Sequence, residues 1–501
     1  MPGPDGWLLH GWLQRTAETS PDAPAIVEGG RVTSFGELFR QAVSLASALA
    51  ESGVSKGDRI ALVLPKTTDA VVSLFATLFA GAVYVPIHPR WPRERIAATL
   101  EDSAARIAIE ASDGAPRIRD SGGAAVLSWT EALARPGARP LAASTPADPA
   151  FILFTSGSTG RPKGVVVSHR AAGAFVSWSA RQFAVRPADR IACPAPLGFD
   201  LSTFDIFNMA LRGAACVLVP ESCVWIPRFL TRFLLEERIT CWYSVPSVLI
   251  LMLQDGGFAS HSFPDLRLVL FAGEVFPGPS LARLQAALPR ATCANLYGPT
   301  ETNVVTWYET SKGFDPSRPP PIGKPCPYAE VRMDASTGEL LAGGDSLMCG
   351  YWGRPEETSR AFAVLEGKRY YRTGDRVAAG AAGNYIFQGR LDRQIKRRGY
   401  RIELGEIEAA FARHDAILEV AAVAHEDREC GTVITAFVRS RPGREMSLIE
   451  AKAHCAGLLP VYMLPDRVVA LSAMPKGSRG KIDYRALALR AAGEDDHGNR
   501  D

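Results

Sequence analysis

The sequence lacks the features that define several large classes of protein. Its nine cysteines are scattered over 501 residues and none forms a C-x-x-C pair, so neither a disulfide framework nor a zinc site is indicated. The net charge is only +3, which gives no broad basic surface for nucleic acid or an anionic membrane. The N-terminal stretch, MPGPDGWLLHGW, lacks the basic and apolar regions of a secretory signal. We therefore expect a globular protein in the reducing cytoplasm.

One uncharged run, AVVSLFATLFAGAVYVPI at 70–87, is near the lower length limit for a membrane-spanning helix. Gly81 and Pro86 interrupt the run, and its last part, VYVPI, is typical of a strand. The alternative to a membrane span is a buried helix that leads into a buried strand. We favour this second interpretation.

Apolar runs alternate with helical patterns through most of the chain. Helices are predicted at 34–50, 69–79 and 93–101, and the first has the capping-box spacing of SFGE at 34–37. Strands are predicted at 58–65, 83–87, 106–111, 151–154, 190–195, 214–220, 239–246 and 266–274. Strands that alternate with helices indicate βαβ units and an α/β fold with mostly parallel sheets. A body of roughly 390 residues exceeds the usual size of a single core, so we expect subdomains.

The composition changes at 389–408, GRLDRQIKRRGYRIELGEIE, where a basic cluster precedes a short helix and strand. We place a domain boundary at Asp392, which gives a core of residues 1–391 and a small C-terminal domain of residues 392–490. Residues 491–501 are polar and are expected to form a disordered tail. The run KRR at 396–398 has the composition of a solvated charged surface.

The stretch FTSGSTGRPKGV at 154–165 combines glycines, hydroxyls and a lysine directly behind an apolar run. It does not match the Walker pattern, because Lys163 is followed by Gly164 rather than by serine or threonine. Glycines let backbone amides approach a phosphate, hydroxyls add donors, and a lysine adds positive charge. The alternative is an ordinary flexible turn. If the stretch binds an anion, most naturally a triphosphate, its ligands are Thr155, Ser156, Gly157, Ser158, Thr159, Gly160 and Lys163.

Two further motifs could complete a nucleotide site. In NLYGPTET at 295–302, Tyr297 could stack on a nucleobase, while Thr300 and Glu301 offer the hard oxygens that Mg²⁺ prefers. In YRTGD at 371–375, Asp375 could accept hydrogen bonds from ribose hydroxyls. Each motif alone is compatible with a structural turn.

Taken together, six motifs resemble in their chain order those of the adenylate-forming superfamily: FTSGSTGRPKGV, FDLSTFD, NLYGPTET, YRTGD, GRLDRQIKRRG and GKIDY. They are most similar to the amino acid adenylation domains of nonribosomal peptide synthesis, and the likeness extends from Thr33 to Leu487. It implies a large N-terminal domain of stacked α/β sheets with a β-barrel-like subdomain, and a small mobile α+β C-terminal domain. It also implies the family's reaction, in which a carboxylate joins ATP, pyrophosphate leaves, and the acyl group passes to a thiol.

The resemblance implies a role for each matching residue of the nucleotide site. The loop at 155–163 would hold the β- and γ-phosphates, and Tyr297 would stack on adenine. Thr300 and Glu301 would face Mg²⁺ and the α-phosphate, and Asp375, assisted by Arg390, would bind the ribose hydroxyls. The other ATP contacts would come from Gly273, Glu274, Asn295 and Gly298.

In the C-terminal domain, Lys481 of GKIDY would bridge the substrate carboxylate and a ribose or α-phosphate oxygen, and would stabilise the charge of the transition state. Without the motif, Lys481 would be interpreted as a surface lysine. Asp392 matches the family's hinge, about which the small domain rotates between adenylation and thioester formation. The rotation would withdraw Lys481 and bring the segment around Gly399 to the path of the thiol.

Asp200 in FDLS lies where amino-acid-activating members hold the substrate ammonium, which disfavours fatty and aryl acids as substrates. The resemblance places eight further residues around the substrate side chain, and all are apolar except for one tyrosine hydroxyl: Leu201, Phe204, Tyr243, Leu270, Ala272, Leu296, Val304 and Val305. Such a pocket fits a compact aliphatic residue. The set is similar to that of stand-alone prolyl-carrier-protein ligases. It favours L-proline over valine, a substituted proline or a small β-amino acid.

The sequence departs from the family pattern at two places. His88 stands where aspartate is usual, and Arg479–Gly480 replaces the usual Asn-Gly before Lys481. No carrier segment with a phosphopantetheine serine follows Leu487, and no H-H-x-x-x-D-G condensation motif occurs. We therefore expect delivery of the product to a separate peptidyl or acyl carrier protein, in the biosynthesis of a natural product such as an antibiotic.

Two other hypotheses stay open. A D-alanine:carrier-protein ligase shares part of the motif set, but Ala272 together with Tyr243 and Leu296 disfavours it. A catalytically silent docking module would keep the fold alone. The charged residues that such a module need not retain are all present: Lys163, Glu301, Asp375 and Lys481.

Overall fold

The computed structural model describes residues 7–111, 118, 122–134, 143–157, 161–310, 314–427, 431–441, 443–444, 446–477 and 481–493. Within these ranges the chain forms fourteen α-helices. In chain order, they are α1 (Leu9–Thr19), α2 (Phe35–Glu51), α3 (Thr68–Phe79), α4 (Arg93–Ser103), α5 (Trp129–Ala134), α6 (His169–Gln182), α7 (Ser202–Arg212), α8 (Pro227–Glu236), α9 (Pro246–Asp255), α10 (Gly278–Ala287), α11 (Pro355–Ala361), α12 (Leu404–Ala412), α13 (Leu448–Ala456) and α14 (Tyr484–Ala492).

The same described ranges contain twenty-six strands. In chain order, they are β1 (Pro24–Glu28), β2 (Arg31–Ser34), β3 (Arg59–Val63), β4 (Val83–Pro86), β5 (Ile107–Glu110), β6 (Ala125–Ser128), β7 (Pro149–Thr155), β8 (Lys163–Ser168), β9 (Arg190–Cys193), β10 (Ala215–Leu218), β11 (Cys241–Ser244), β12 (Leu268–Ala272), β13 (Thr292–Tyr297), β14 (Thr306–Glu309), β15 (Lys324–Pro325), β16 (Ala329–Met333), β17 (Glu339–Gly344), β18 (Gly350–Tyr351), β19 (Phe362–Leu365), β20 (Lys368–Ala379), β21 (Tyr385–Arg390), β22 (Gln394–Arg397), β23 (Tyr400–Glu403), β24 (Ile417–Asp427), β25 (Gly431–Ser440) and β26 (Arg467–Ala470).

The described residues form two compact units. The first comprises residues up to 89, 97–154 and 164–391, and the second comprises residues 90–96, 155–163 and those from 392 onward. The stretch that the sequence assigns to phosphate binding therefore belongs to the second unit. The domain limits at Asp392 and at residue 490 stay predictions.

Two large mixed sheets of described strands build the first unit. One has the order β15-β14-β13-β12-β11-β9-β10-β1-β2, and the other has the order β18-β8-β7-β4-β3-β5-β6. The pairings β9–β10, β11–β12, β12–β13, β3–β4 and β3–β5 are parallel, while β13–β14 and β8–β18 are antiparallel. The predicted α/β fold with mostly parallel central strands is confirmed. Because parallel strands present their carboxyl ends at one edge of a sheet, side chains that follow successive strands meet there.

Local sequence signals explain the first helices. Ser34 caps α2, and its hydroxyl accepts a hydrogen bond from the Glu37 amide at 3.2 Å, which is the predicted capping interaction. The uncharged run at 70–87 forms the buried helix α3 and the buried strand β4, as predicted, with Gly81 at φ +71° between them. In the part of the chain that the structure describes, no helix is both long and apolar enough to span a membrane.

A third sheet in the first unit is antiparallel. Its strands have the order β16-β17-β20-β19, with β21 also paired to β20. The long strand β20 contains YRTGD, so the TGD segment lies within a strand rather than in the turn that it could also indicate. Asp375 stands opposite Arg390 in the register of β20 and β21.

The second unit contains a hairpin and a three-stranded sheet of order β24-β25-β26 with helices α12 to α14. The hairpin β22–β23 turns through Arg398 (φ +52°) and Gly399 (φ +79°), the geometry of a two-residue turn with both residues left-handed. Arg397 is not part of a solvated charged surface, since its side chain is only 11% exposed and donates to Asp466 Oδ1 at 2.5 Å. Its other contacts are the carbonyls of Tyr462 and Leu464.

Ala491 and Ala492, which the sequence assigns to a disordered tail, belong to a helix. Helix α14 continues to Ala492, and Ala491 is buried against the apolar side of the sheet. Gly493, at φ +78°, ends the helix in the left-handed conformation that favours glycine. Residues 494–501 lie outside the described residues.

Candidate active site

Asp375, Arg390 and Tyr297, three residues that the sequence assigns to ATP, are in direct contact. Arg390 Nη1 lies 2.5 Å from Asp375 Oδ1, and the Tyr297 hydroxyl donates to Asp375 Oδ2 at 2.5 Å. Asp375 is buried. Burial, followed by the negative charge of Asp375, raises the pKa of Tyr297 well above its usual value, so its hydroxyl remains a proton donor. The arrangement holds the carboxylate in one orientation.

The strand around Asp375 is fixed by its own side chains. Thr373 Oγ1 accepts from the Asp375 amide at 3.1 Å and donates to the Leu340 carbonyl at 2.6 Å. Gly374 has φ +68°, and its amide donates to Glu339 Oε1 at 3.0 Å. The threonine and the glycine of TGD therefore set the direction of the aspartate.

Glu301 is a second buried carboxylate, and it follows β13. Its side chain is 1% exposed, and Tyr351 on β18 donates its hydroxyl proton to Oε1 at 2.7 Å. The Tyr371 hydroxyl lies 3.4 Å from that of Tyr351. A carboxylate such as that of Glu301 offers the hard oxygen ligands that Mg²⁺ prefers. Among the described residues there is no group of three or more His, Cys, Asp or Glu side chains that could hold a metal ion. Mg²⁺ at nucleotide sites is commonly bound by one or two carboxylates together with the substrate phosphates, so this single carboxylate fits.

The turn that carries Thr300 and Glu301 requires glycine at its start. A Cβ atom on Gly298 would lie 1.6 Å from the carbonyl oxygen of Asn303, which no side chain can occupy. Asn303 itself has φ +52° and accepts from the Val304 amide through its side chain at 2.7 Å. The Val305 amide then donates to the Tyr297 carbonyl at 2.8 Å and closes the turn.

The predicted adenine-side residues lie at the carboxyl ends of two neighbouring parallel strands. Ala272 of β12 is opposite Leu296 of β13, so Gly273 is placed beside Tyr297 by register. Gly273 has φ +91°. Asn295 Nδ2 donates to the Pro321 carbonyl at 2.9 Å, and Glu274 Oε2 accepts from the Ser247 amide at 3.0 Å.

The predicted substrate pocket is built on one face of the nine-stranded sheet. Tyr243 is opposite Leu270, and Ala272 is opposite Leu296, while Leu270 and Ala272 are two residues apart on one strand. These four residues therefore share a face. All eight predicted side-chain contacts are buried: Leu201, Phe204, Tyr243, Leu270, Ala272, Leu296, Val304 and Val305.

Two of these residues are aromatic and pack against each other. The rings of Phe204 and Tyr243 meet edge to face with centroids 5.6 Å apart. Burial, followed by the negative charges of Asp200 and Asp205, raises the pKa of Tyr243 well above its usual value. Asp200 precedes α7, the helix that carries Phe204, and is partly exposed. The predicted set thus combines a partly exposed carboxylate with buried, mostly apolar side chains that include two aromatic rings.

The predicted phosphate loop joins β7 to β8. Thr155 is the last residue of β7 and Lys163 is the first of β8. A Cβ atom on Gly157 would lie 1.9 Å from the Arg161 carbonyl, so this position also requires glycine. Ser156 Oγ donates to the Arg401 carbonyl at 2.7 Å within the second unit. Ser158, Thr159 and Gly160 lie outside the described residues.

The remaining predicted residues lie in the second unit. Lys481 is exposed, and its carbonyl accepts from the Gly477 amide at 2.8 Å. Asp392 is also exposed, and its Oδ1 accepts from the Gln394 amide at 3.1 Å. Gly399 occupies the tip of the β22–β23 hairpin.

Tyr351 is the site residue that the sequence did not indicate. It lies fifty positions after Glu301, in a segment without a recognised motif. Its only sequence signal is a tyrosine within the mostly small and apolar stretch LMCGYW at 347–352, which does not by itself predict a contact with a distant carboxylate.

Two family descriptions match the chain. The description "AMP-binding enzyme" matches residues 13–352, and "AMP-binding enzyme C-terminal domain" matches residues 406–481. A curated relative from Pseudomonas fluorescens, "L-proline--[L-prolyl-carrier protein] ligase", is 38% identical over 97% of this chain and 100% of its own length. A protein of the same name from Streptomyces coelicolor is 37% identical over 93% of this chain and 94% of its own length.

Solved structures are also similar to this chain over most of its length. The crystal structure of IdnL1 is 32% identical with a TM-score of 0.81, and the match covers 94% of this chain and 99% of that one. The structure of holo-PA1221, described as an NRPS protein containing adenylation and PCP domains, is 25% identical with a TM-score of 0.83, over 97% of this chain and 84% of that one. The chain therefore belongs to the AMP-binding enzyme family of the adenylate-forming superfamily.

Proposed function

We propose that this enzyme activates L-proline with ATP as prolyl-AMP, releases pyrophosphate, and transfers the prolyl group to the phosphopantetheine thiol of a separate carrier protein. The observation that carries the proposal is the buried, apolar pocket face of Tyr243, Leu270, Ala272 and Leu296 with the Phe204 ring edge-on to Tyr243. The names of the two curated relatives support the same substrate and the same class of acceptor.

The shape and chemistry of the pocket favour a small ring. An apolar interior leaves a charged or strongly polar side chain without hydrogen-bond partners, which disfavours such substrates by several kcal/mol, about 2–7. The edge-to-face pair of Phe204 and Tyr243 would limit the depth of such a pocket, so a compact aliphatic side chain would fit better than an extended one. Asp200 would bind the secondary ammonium of proline, because a carboxylate and an ammonium form a charge-assisted hydrogen bond.

The buried carboxylates have separate roles in the proposal. Asp375 would accept both ribose hydroxyls and is already oriented by Arg390, while Tyr297 would contact adenine. Glu301 would hold Mg²⁺ together with the triphosphate, and Thr300 would lie beside the α-phosphate. The ion would neutralise negative charge on the phosphates during attack by the substrate carboxylate.

The second unit supplies the remaining groups. Lys163 and the amides at 155–160 would hold the departing pyrophosphate, and Lys481 would bridge the substrate carboxylate and the nucleotide. Rotation about Asp392 would then exchange Lys481 for the segment around Gly399 before thioester formation. Such a rotation lets one chain perform two half-reactions with the same acyl-adenylate.

Amino-acid-dependent exchange between ATP and pyrophosphate tests the first half-reaction. The assay should include the twenty amino acids, D-alanine, pipecolate and a small β-amino acid, with and without Mg²⁺. We expect maximal exchange with L-proline. An Asp200→Asn variant should lose most of this exchange, while the matched change at the exposed Asp255, Asp255→Asn, should retain it.

The second half-reaction requires an acceptor. Intact-mass measurement of a candidate carrier protein should show a prolyl adduct only when the carrier bears phosphopantetheine. A maximum with D-alanine or valine would contradict proline as substrate but leave the reaction class intact. If no amino acid supports exchange, the result would contradict the proposed adenylation activity and favour a catalytically silent docking module.

A further inference from the structure

Lys66 is a buried lysine near the proposed substrate site. It follows β3, is 5% exposed, and donates from Nζ to the carbonyl oxygens of Cys193 at 2.6 Å and Pro194 at 2.8 Å. These carbonyls begin the connection between β9 and α7. That connection, residues 194–201, ends with Asp200 and Leu201, and we call it the Asp200 segment.

Burying an ammonium group costs free energy unless strong hydrogen-bond acceptors surround it. The two carbonyls are such acceptors, so they hold the Lys66 ammonium at the start of the Asp200 segment. Local hydrogen bonds also hold the Asp200 segment. Phe199 donates its amide to the Pro196 carbonyl, and Ser202 Oγ donates to the Phe199 carbonyl at 2.8 Å. Both bonds are local, whereas Lys66 ties the start of the segment to the other sheet.

Glu221 and His88 extend the contact. Glu221 Oε2 lies 3.1 Å from His88 Nε2, and the charge of Lys66 also acts on Glu221. Burial raises the pKa of Glu221, but the hydrogen bond and charge of His88, with the charge and amide of Lys66, lower it below the usual value overall. Glu221 is thus held as a carboxylate between a histidine and a lysine.

Strand order brings these residues together. β3 and β4 are parallel neighbours, with Leu62 opposite Pro86, so Lys66 and His88 follow adjacent strands at one edge of the seven-stranded sheet. β9 and β10 are parallel neighbours in the nine-stranded sheet, with Cys193 opposite Leu218, and Glu221 follows β10. The chain His88–Glu221–Lys66 therefore joins the carboxyl ends of two strands in each sheet.

A further carboxyl group lies near the ammonium. Asp205 on α7 is fully buried, and burial is the first cause of a pKa raised well above its usual value, while the positive charge of Lys66 acts in the opposite direction. Lys66 is therefore the cation that acts electrostatically on both Glu221 and Asp205.

We infer that Lys66, supported by Glu221 and His88, positions the Asp200 segment and so sets the place of the substrate ammonium. This inference rests on the proposed function, since it assigns Asp200 to the ammonium of the amino acid. Lys66 does not itself touch substrate in this assignment and is a positioning residue. It also gives a role to His88, which stands where the family usually has aspartate.

The test is Lys66→Met, which keeps the length and apolar stem but removes the ammonium. We expect the KM for L-proline in pyrophosphate exchange to rise by about tenfold, because charge-assisted bonds to two carbonyls are lost, while the KM for ATP changes by less than about twofold. The matched control is Lys56→Met. Lys56 is a half-exposed lysine that pairs with Asp148 at 2.7 Å, and its loss should change neither constant.

Two His88 variants provide a second test in case Lys66→Met does not fold. His88→Asn keeps a donor for Glu221 and should preserve the KM for L-proline, while His88→Asp places a second carboxylate beside Glu221 and should raise it. An unchanged KM for L-proline in folded Lys66→Met would overturn the inference, as would equal increases for L-proline and ATP. If wild-type protein exchanges with no amino acid, the proposed function fails, which is a different result from either of these.

Discussion

The Tyr351 hydroxyl donates to Glu301 Oε1 over 2.7 Å, and both side chains are buried. Glu301 lies in the turn after β13 of the nine-stranded sheet, and Tyr351 lies on β18 of the seven-stranded sheet. A hydrogen bond to a carboxylate oxygen fixes the direction of the carboxylate. Tyr351 thus orients the carboxylate that we propose as a ligand of Mg²⁺.

Tyr351→Phe should raise the Mg²⁺ concentration that supports half-maximal exchange by about three- to tenfold, because the net contribution of a typical hydrogen bond is about 0.5–1.5 kcal/mol. The KM for L-proline should stay nearly constant. The control is Tyr370→Phe, which removes a hydroxyl that donates to Glu330 at 2.9 Å in the third sheet. Equal Mg²⁺ dependence of the two variants would contradict the orienting role.

Lys481→Ala should abolish adenylation and largely spare transfer from supplied prolyl-AMP, because the lysine would act only on the charge that develops during adenylate formation. Pyrophosphate exchange measures the first step, and intact-mass measurement of the loaded carrier measures the second. Lys476→Ala is the matched control, since Lys476 pairs with Glu419 at 2.9 Å in the same C-terminal stretch. Equal loss of both half-reactions would argue against rotation about Asp392.

Gly298→Ala should eliminate exchange activity, because its Cβ would collide with the Asn303 carbonyl and open the turn that carries Thr300 and Glu301. Gly457→Ala is the matched control for Gly298→Ala. A Cβ at Gly457 would have ordinary contact, 3.6 Å from the His454 carbonyl, at φ −75°. The thermal midpoint of Gly298→Ala separates local from global damage. Normal exchange in Gly298→Ala would show that the turn tolerates a different path.

The alternating elements of the first unit could be predicted from the sequence because their signals are local. The Ser34 cap is confirmed at α2, and the apolar run of 151–154 lies in β7. Buried parallel strands appear as short apolar runs, and amphipathic or capped segments appear as helices, so each is readable without knowledge of its partner. The third, antiparallel sheet was expected only from the family resemblance.

Contacts between distant parts of the chain could not be predicted in this way. Arg397 lies in a run of three basic residues, yet its side chain is only 11% exposed, because it contacts Asp466 and two carbonyls that lie nearly seventy positions later. Tyr351 contacts Glu301 across 50 positions, and Lys66 contacts Cys193 across 127. Composition and periodicity describe a residue's immediate neighbours, whereas burial of a charge depends on partners that only the tertiary fold supplies.

A pair of histidines, His169 buried and His10 partly buried, should make the protein sensitive to acid. His169 is 1% exposed and accepts from the Leu9 amide at 3.3 Å through Nδ1, and the His10 ring lies 5.4 Å from the His169 ring. Burial lowers the pKa of His10 to about 4, and burial followed by the charge of His10 lowers that of His169 to about 3. Both are therefore neutral in the folded protein at pH values where free histidine is protonated.

The sign of the effect follows from proton linkage. As the pH falls below 6.5, the unfolded chain binds protons at these histidines and the folded chain does not, so stability is lost until the pH reaches the folded pKa values. At about pH 5 the loss is roughly 2 kcal/mol for each histidine, because one pKa unit corresponds to about 1.4 kcal/mol. His169→Asn keeps an acceptor for the Leu9 amide and should reduce the steepness of this loss in urea unfolding. The control His261→Asn, at an exposed position, should leave the steepness of the loss unchanged. Identical pH profiles of stability for His169→Asn and wild type would contradict the role of His169 in acid sensitivity.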